Sequence, residues 1–384
     1  MRFEFATANR IIFGPGAIQQ IGKITAEFGR RALVMTGWPV DQTTEVFNAL
    51  SAHGVTASYV PVSGEPTTES ISQGVERARI DQCDVLIGFG GGSAVDSAKA
   101  VAALLANGGE PLDYLEVIGK GKPLTKPSAP CIAIPTTAGT GAEVTRNAVL
   151  ASREHKVKVS LRSPTMLPRV ALVDPQLTLS LPAAVTASTG MDALAQLIEP
   201  FVSIKANPIT DAFCREGMQL AARSLRQAYE HGDDPNARED MALASLLGGL
   251  ALANAGLGAV HGFAGPIGGL FPAPHGAVCA RLLPPVMAIN VLALRERQPE
   301  SMALRRYDEV ARILTANPAA TAQDGVIWVQ ELCEALHIPL LSAYGMNAQS
   351  LPDLVEKSAV ASSMQANPLK LTIEEMHEML VQAL

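Results

Sequence analysis

The stretch DVLIGFGGGSAVDSAKA, residues 84–100, joins an apolar strand to three consecutive glycines and an Ala-rich helix. Gly90, Gly91 and Gly92 allow a ligand to approach the main chain closely, because glycine has no side chain. The helix expected from about Ser93 would present free N–H groups and the positive end of its dipole to a phosphate. The stretch matches neither GxGxxG nor a loop ending in Gly-Lys-Ser/Thr, so a plain tight turn is the alternative.

A second loop with the same character follows the apolar run CIAI. This loop, PTTAGTGAEVT at residues 135–145, places threonines and glycines at the carboxyl end of a predicted strand. In open α/β sheets, ligands bind at strand ends where the topology switches. The two loops together favour a nucleotide with a pyrophosphate over the alternative of a threonine-rich surface loop.

The flanking sequence predicts a two-domain fold. From about residue 30 to 175, short apolar runs alternate with Ala-rich segments, which is typical of a parallel sheet flanked by helices. Residues 143–173 predict a hairpin and a last strand. We predict an α/β dinucleotide-binding domain at 1–182, an all-helical domain at 183–384 and a ligand cleft between them. The helices of the second domain are predicted near 183–203, 208–231, 236–256, 276–293, 302–315, 321–337, 350–363 and 372–383.

The composition excludes several classes of protein. The 384 residues carry 30 Lys+Arg against 37 Asp+Glu, a net charge of −7, which argues against a nucleic-acid partner. Hydrophobic residues make up 48% of the chain and charged residues 17%, which excludes a disordered protein. Five cysteines without a CxxC pair fit a reducing cytoplasm better than a disulfide framework or zinc knuckle. The N-terminal sequence does not have the pattern of a signal peptide.

Residues 241–280 contain no Asp, Glu, Lys or Arg. Prolines and glycines interrupt this stretch, so we interpret it as the buried centre of a domain and expect no membrane span. Within it, His261 and His275 are each followed by glycine. A lone histidine in such a place is usually a satisfied core residue, but two of them in an uncharged stretch favour a metal-binding pair of neutral imidazoles.

The segment TGMDALAQLIE at 189–199 supplies a matching carboxylate. Asp192 and Gln196 share one helix face, and an ionised Asp in an apolar helix requires a cation or a donor. The alternative is that Asp192 caps a helix that begins at 189–191. Asp192 with His261 and His275 would give three protein ligands and an open position, as in a catalytic metal site.

With these residues in view, the chain resembles the iron-containing (group III) alcohol dehydrogenase family over nearly its full length. The resemblance implies an N-terminal dinucleotide-binding α/β domain, a helical C-terminal domain of the dehydroquinate synthase-like type, and a metal in the cleft. The motifs that carry it are RIIFGPGA at 10–17, GGGSAVDSAKA at 90–100, PTTAGTGAEVT at 135–145, ALVDPQLTLSLP at 171–182, TGMDALAQLIE at 189–199, NPITD at 207–211, VHGFAGPIGG at 260–269, PHGAV at 274–278 and LLPPVM at 282–287.

The resemblance also implies roles for individual residues. Asn147 matches a position near the substrate, and His261 is both a metal ligand and a catalytic candidate. Asp192, His261 and His275 occupy three of the four metal-ligand positions of the family, and Gln196 occupies the fourth. The cofactor-binding candidates are Gly37, Gly90, Gly91, Gly92, Ser93, Asp96, Thr136, Thr137, Thr140 and Lys158.

Three positions depart from the family pattern. Gln196 replaces a histidine, and its amide oxygen is a weaker ligand, so we expect Fe2+ or Zn2+ to bind weakly or not at all. Gly265 replaces a histidine in many members, which enlarges the pocket and removes a proton-relay candidate. Gly37 stands where NAD-preferring members carry Asp, which leaves both NAD and NADP open.

The sequence therefore predicts an NAD(P)-dependent alcohol dehydrogenase or aldehyde reductase, assisted by a divalent metal. The expected substrate is a small alcohol or aldehyde, and the expected assembly is a homodimer or larger homo-oligomer. One alternative is a metal-free reductase with His261 as the general acid. The other is a nucleotide-binding homologue that has lost redox activity.

Overall fold

The computed structural model describes residues 2–152, 154–155 and 157–384. Within them the chain forms two compact units, one built on a parallel sheet and one helical. The predicted fold class, an α/β unit followed by an all-helical one, is confirmed. The α/β unit holds Ala6–Thr137 and Gly141–Thr178, and the helical unit holds 2–5, Ala138–Thr140 and Leu179–Leu384.

Six parallel strands form the sheet of the α/β unit. They are β1 Arg10–Phe13, β2 Arg31–Thr36, β3 Thr56–Pro61, β4 Val85–Gly90, β5 Cys131–Pro135 and β8 Val170–Val173. Their order in the sheet is β1-β8-β5-β4-β2-β3. The central strand β4 is buried along its whole length, as its continuous apolar run predicts. From β2 the chain crosses to β3 on one side and returns to β4 on the other, so the switch in strand order lies between β2 and β4.

Helix α4, which spans Gly92–Asn107, packs very closely on β4. A Cβ on Gly88 would lie 2.8 Å from the Cα of Val95 and 2.9 Å from the carbonyl oxygen of Ala94, so only glycine fits there. The helix itself is Ala-rich and almost fully buried, which explains why its sequence shows no polar face. The helices of this unit are α1 Ile21–Ala26, α2 Thr44–Ala52, α3 Thr68–Ile80, α4 Gly92–Asn107 and α5 Pro111–Tyr114.

The predicted hairpin is present as the antiparallel pair β6 Asn147–Ser152 and β7 Val157–Arg162. Lys99 ties this hairpin and the loop before it to α4. Its ammonium group is fully buried, lies 2.9 Å from Asp96 Oδ1, and donates to the carbonyls of Ala142 and Asn147 and to the Thr145 hydroxyl. A buried charge that has a carboxylate and three further acceptors is compensated, so Lys99 acts as a buried anchor for this loop.

The helical unit contains nine helices among the described residues, and the eight predicted ones lie close to their predicted positions. The sequence did not predict α9, which contains Pro266 and several glycines. The helices are α6 Ala183–Val202, α7 Pro208–Glu230, α8 Pro235–Ala255, α9 Ala259–Leu270, α10 His275–Arg297, α11 Met302–Thr315, α12 Ala322–Ala335, α13 Leu351–Ala359 and α14 Ile373–Ala383.

Helix α10 is long and apolar enough to cross a membrane, with a mean hydropathy of 1.8 over an 18-residue window. However, 83% of that window is buried inside the protein. Helices α8 and α9 pass the same test together, but they are bent by 98° at their junction. The apolar surface of α10 is thus largely used for internal packing.

Candidate active site

Three loops meet at one edge of the parallel sheet. Gly37 follows β2, Gly91 follows β4, and Thr136 and Thr137 follow β5, and these strands are neighbours in the sheet. The N–H of Thr136 donates to the carbonyl of Gly90 at 2.9 Å. A Cβ on Gly90 would lie 3.5 Å from the Gly37 nitrogen, and one on Gly91 would lie 3.4 Å from Thr137 Cγ2. The structure therefore brings five predicted cofactor residues together beside the switch point of the sheet.

Gly91 is the N-cap of α4, and Gly92 and Ser93 form its first turn. The helix begins one residue earlier than expected, and its capping residue has no side chain that could satisfy the first N–H groups. These groups are available to an anion at the point where the dipole is positive. The glycine turn thus has the local geometry that the phosphate-binding prediction requires.

The remaining predicted cofactor residues have different surroundings. Asp96 pairs with Lys99 and accepts from the Val149 N–H at 2.9 Å. Lys158 pairs with Glu65 at 3.0 Å. Thr140 belongs to the helical unit by its contacts. Asn147, the substrate-position candidate, begins β6 in the α/β unit.

Helix α6 presents Asp192 from its interior. The helix begins at Ala183, so the alternative in which Asp192 caps a helix that starts at 189–191 is wrong. Asp192 is 1% exposed, and its carboxylate oxygen Oδ1 lies 3.2 Å from His261 Nε2 and 3.9 Å from His275 Nε2. The predicted carboxylate and both predicted imidazoles are therefore neighbours.

His261 lies in the first turn of α9, and the Glu199 carboxylate fixes its ring. Glu199 Oε2 is 2.6 Å from His261 Nδ1, and Oε1 accepts from the Val260 N–H at 2.7 Å. A Cβ on Gly258 would come 2.8 Å from Glu199 Oε1, so a side chain there would displace this carboxylate. A carboxylate that holds one ring nitrogen turns the other nitrogen toward the cluster and selects the tautomer, as is usual for metal-binding histidines.

Helix α10 supplies His275 and, one turn later, Cys279. The helix start packs directly on α6, because a Cβ on Gly276 would lie 2.5 Å from the Ser188 carbonyl oxygen. Cys279 Sγ lies 3.6 Å from His275 Nε2 and 3.8 Å from His261 Nε2. Asp192, His261, His275 and Cys279 each offer one ligand atom, and the four atoms all lie within 4.8 Å of one another.

In this cluster, burial and neighbouring charges shift the pKa values of the side chains in opposite directions. Burial alone lowers the pKa of His261, but Cys279, Glu199 and Asp192 outweigh it and hold that pKa well above the ordinary value. Cys279 raises the pKa of His275 to about 9, together with Asp192 and against burial. Burial raises the pKa of Asp192, but the two histidines outweigh it and lower that pKa. The surroundings thus favour a negative Asp192 facing positive charge.

The donor set fits a divalent transition metal. Imidazole, carboxylate and thiol are donors for zinc and iron, and the carboxylate–histidine contact supplies the expected outer support. Gln196 is 3% exposed, and its Oε1 has no hydrogen-bond partner among the described residues. An unpaired buried amide oxygen one turn from Asp192 is a further polar atom that a cation would satisfy.

Glu199 and Cys279 are not among the residues predicted from the sequence, although each leaves a signal there. Glu199 follows Asp192 by seven residues, which is two helical turns on the same face. Cys279 follows His275 by four residues and therefore lies on the same face of α10. Asn367 is a third residue that the sequence did not predict. Its side chain accepts from the Ala259 N–H at the start of α9 and donates to Asn290 of α10.

Gly265 lies in α9, one turn after His261. Among the described residues, a Cβ placed on it would have no heavy atom within 4 Å, apart from its own helix and chain neighbours. The space that a larger side chain would take is therefore free at this position. This agrees with the expectation that glycine enlarges the pocket here.

Comparison with known proteins identifies the family. The sequence model described as iron-containing alcohol dehydrogenase matches residues 8–175, and the C-terminal model of the same family matches residues 186–384. Among solved structures, that of a 1,3-propanediol oxidoreductase superposes with a TM-score of 0.92 at 33% identity and covers 100% of both chains. The family expectation from the sequence motifs is confirmed.

Curated relatives give the same result. The chain is 34% identical to the 1,3-propanediol dehydrogenase of Klebsiella pneumoniae, over 99% of this chain and 98% of the relative. It is 33% identical to the NAD-dependent methanol dehydrogenase of Bacillus methanolicus, over 97% of each protein. This protein therefore belongs to the iron-containing alcohol dehydrogenase family and is an oxidoreductase of the alcohol dehydrogenase class.

Proposed function

We propose that this enzyme transfers hydride between the nicotinamide of NAD(H) or NADP(H) and a small alcohol or aldehyde, with a divalent metal bound by the helical domain. The observation that carries the proposal is the cluster of Asp192, His261, His275 and Cys279, supported by Glu199, in a chain that also carries the glycine and threonine loops. The proposed domains are 1–182 for the cofactor and 183–384 for metal and substrate.

In the α/β domain, main-chain groups do most of the binding. The glycine turn at Gly90, Gly91 and Gly92, together with Ser93, would hold the pyrophosphate against the N-terminus of α4. Thr136 and Thr137 would line the same site, with Thr140 from the end of their loop and Lys158 toward the ribose. Asp96 would act indirectly, because it already pairs with Lys99 and the Val149 N–H. Gly37 leaves room for a 2′-phosphate.

In the helical domain, Asp192, His261 and His275 would hold the ion, with Gln196 beside them. A divalent metal held there would supply Lewis-acid chemistry, which would favour loss of the alcohol proton and acceptance of hydride by the carbonyl. Glu199 keeps the His261 ring in one orientation through Nδ1. The open space at Gly265 would admit a substrate to this domain. In the α/β domain, Asn147 is the residue proposed to orient the substrate.

The test combines elemental analysis with kinetics. We expect near one equivalent of metal per chain, and oxidation of NADH or NADPH by short aldehydes that chelation abolishes. The double variant Asp192→Ala, His261→Ala should lose metal and turnover together. Full turnover in that variant, with no bound metal, would refute the metal-dependent mechanism.

A metal-free reductase is the second candidate, and one observation favours it. His261 is flanked by Glu199 and Asp192, and its pKa is held well above the ordinary value, so its ring can carry a proton toward a substrate oxygen. This version predicts unchanged turnover after exhaustive chelation. A homologue without redox activity would bind NAD(H) but show no aldehyde-dependent absorbance change.

The cellular setting and assembly are part of the same proposal. All five cysteines are free and buried, which agrees with a reducing cytoplasm. A homodimer or larger homo-oligomer is the proposed assembly, to be tested by light scattering. Neither nucleic acid nor a membrane is a proposed partner of this acidic chain.

A further inference from the structure

We infer that the Cys279 thiolate is the fourth metal ligand of this enzyme, so that its metal centre is an Asp–His–His–Cys site that selects zinc over iron. The inference rests on the proposed function, because it assumes that the helical domain holds a metal. It assigns to α10 the ligand that Gln196 of α6 would otherwise provide.

The ligand-atom distances match a tetrahedral ion. Nitrogen or oxygen donors at about 2.0–2.1 Å and sulfur at about 2.3 Å from zinc would be separated by about 3.4 Å for N–O pairs and about 3.6 Å for N–S pairs. The two observed S–N distances are 3.6 and 3.8 Å. The two O–N distances to Asp192 are 3.2 and 3.9 Å. The two sulfur distances are therefore those expected if Cys279 and the other three residues bind one ion.

The helix geometry explains how one turn supplies two ligands. His275 and Cys279 stand at i and i+4 on α10, so their side chains point to the same side one above the other. The contact between Gly276 and the Ser188 carbonyl sets this face of α10 close to α6 and Asp192. Cys279 is 0% exposed, as suits a ligand shielded from water.

Charge also favours the thiolate over the Gln196 amide. A thiolate brings a negative charge directly to the ion, whereas the Gln196 amide is a neutral donor. Binding releases the Cys279 thiol proton to solvent. Thiolate ligands favour zinc, while a set of nitrogen and oxygen donors suits iron.

The test is the absorption spectrum of the Co2+-substituted enzyme. A thiolate ligand gives a sulfur-to-cobalt charge-transfer band in the near ultraviolet, which oxygen and nitrogen ligands do not give. We expect this band in the wild type, its loss in Cys279→Ser, and its retention in Gln196→Ala. The matched control is Cys333→Ser, because Cys333 is also buried and donates to the Ala280 carbonyl of α10 but lies on α12.

A second measurement needs no variant. X-ray absorption at the zinc edge of the wild-type enzyme should show one sulfur neighbour at about 2.3 Å. A zinc shell of nitrogen and oxygen alone, a cobalt spectrum without the band, or a band lost in Gln196→Ala but kept in Cys279→Ser would each overturn the assignment. Failure of the wild type to bind either metal would overturn it as well.

These outcomes separate the inference from the proposed function. Aldehyde-dependent NAD(P)H oxidation with bound metal but no sulfur ligand leaves the dehydrogenase intact and refutes the role of Cys279. A sulfur-ligated metal without turnover on any alcohol or aldehyde supports the role of Cys279 and refutes the proposed reaction.

Discussion

The cofactor loops and the cluster of candidate metal ligands offer different kinds of groups to a ligand: main-chain groups in the loops and side chains in the cluster. In the α/β unit, glycines remove side chains so that main-chain N–H groups are left free at the start of α4. In the helical unit, Asp192 and Cys279 are buried, His261 and His275 are partly buried, and the ligand atoms of all four lie within 4.8 Å of one another. A site made of main chain depends on the backbone path, whereas a site made of side chains depends on charge balance.

We expect the largest effect from replacing Lys99, the buried charge that anchors the threonine loop and the hairpin to α4. Lys99→Met should lower the free energy of unfolding by about 3–5 kcal/mol, because Asp96 would stay buried without its partner. Urea denaturation measures this, with the exposed Lys126→Met as control. A change below about 1 kcal/mol would show that the loop does not depend on the Lys99 charge.

Glu143 tests the same loop through pH. The residue is buried, and burial raises its pKa from 4.5 to about 7. The folded state therefore binds the proton more tightly than the unfolded state, and the stability of the wild type falls as pH rises between these two values. Glu143→Gln should be more stable than the wild type by up to about 3 kcal/mol above pH 7, and the difference should vanish near pH 4.

The measurement is the free energy of unfolding of both proteins across that pH range. The exposed Glu45→Gln serves as the matched control and should follow the wild type at every pH. A constant difference between Glu143→Gln and the wild type from pH 4 to pH 8 would contradict the burial argument.

Glu199 tests the side-chain site. Glu199→Gln keeps the shape of the side chain but removes the charge that orients His261, so metal affinity should fall by roughly 10–100-fold. Competition with a chromogenic chelator measures this, and Glu296→Gln on the exposed side of α10 should leave affinity unchanged. Equal affinity in both variants would mean that the ring is held by packing alone.

The smallest effect is expected at Gly37. Gly37→Asp should lower the ratio of kcat/KM for NADPH to that for NADH by about tenfold, because a carboxylate repels a 2′-phosphate and accepts from a 2′-hydroxyl. Gly37→Ala controls for the added Cβ, which would lie 3.3 Å from the Val62 carbonyl oxygen. An unchanged ratio in Gly37→Asp would place the ribose elsewhere.

Much of the fold is predictable from local sequence. The strand β4, the glycine turn and the helix α4 follow from an apolar run, three glycines and an Ala-rich segment. Helix α9 was not predictable in this way, because Pro266 and its glycines argue against a helix. Its first N–H groups are instead satisfied by Glu199 and Asn367, which lie far away in the sequence. Tertiary contacts therefore outweigh propensity here.

In the candidate site, too, some residues were predictable from local sequence and others depend on tertiary contacts. Asp192, His261 and His275 were predictable because each is an isolated polar residue in an apolar segment. Glu199 and Cys279 were missed, since their roles arise from the packing of α6, α9 and α10 and not from local composition. The metal-ligand role of Gln196 stays a prediction, which the cobalt spectrum of Gln196→Ala tests.

The cysteines outside the cluster have a practical consequence for thiol chemistry. Burial raises the pKa of the Cys83, Cys131, Cys214 and Cys333 thiols well above the usual range. At neutral pH these four are protonated, and a protonated thiol is a poor nucleophile. A thiolate-specific reagent applied to the folded enzyme should therefore react with almost none of these four thiols, so any label found on them reports on unfolding.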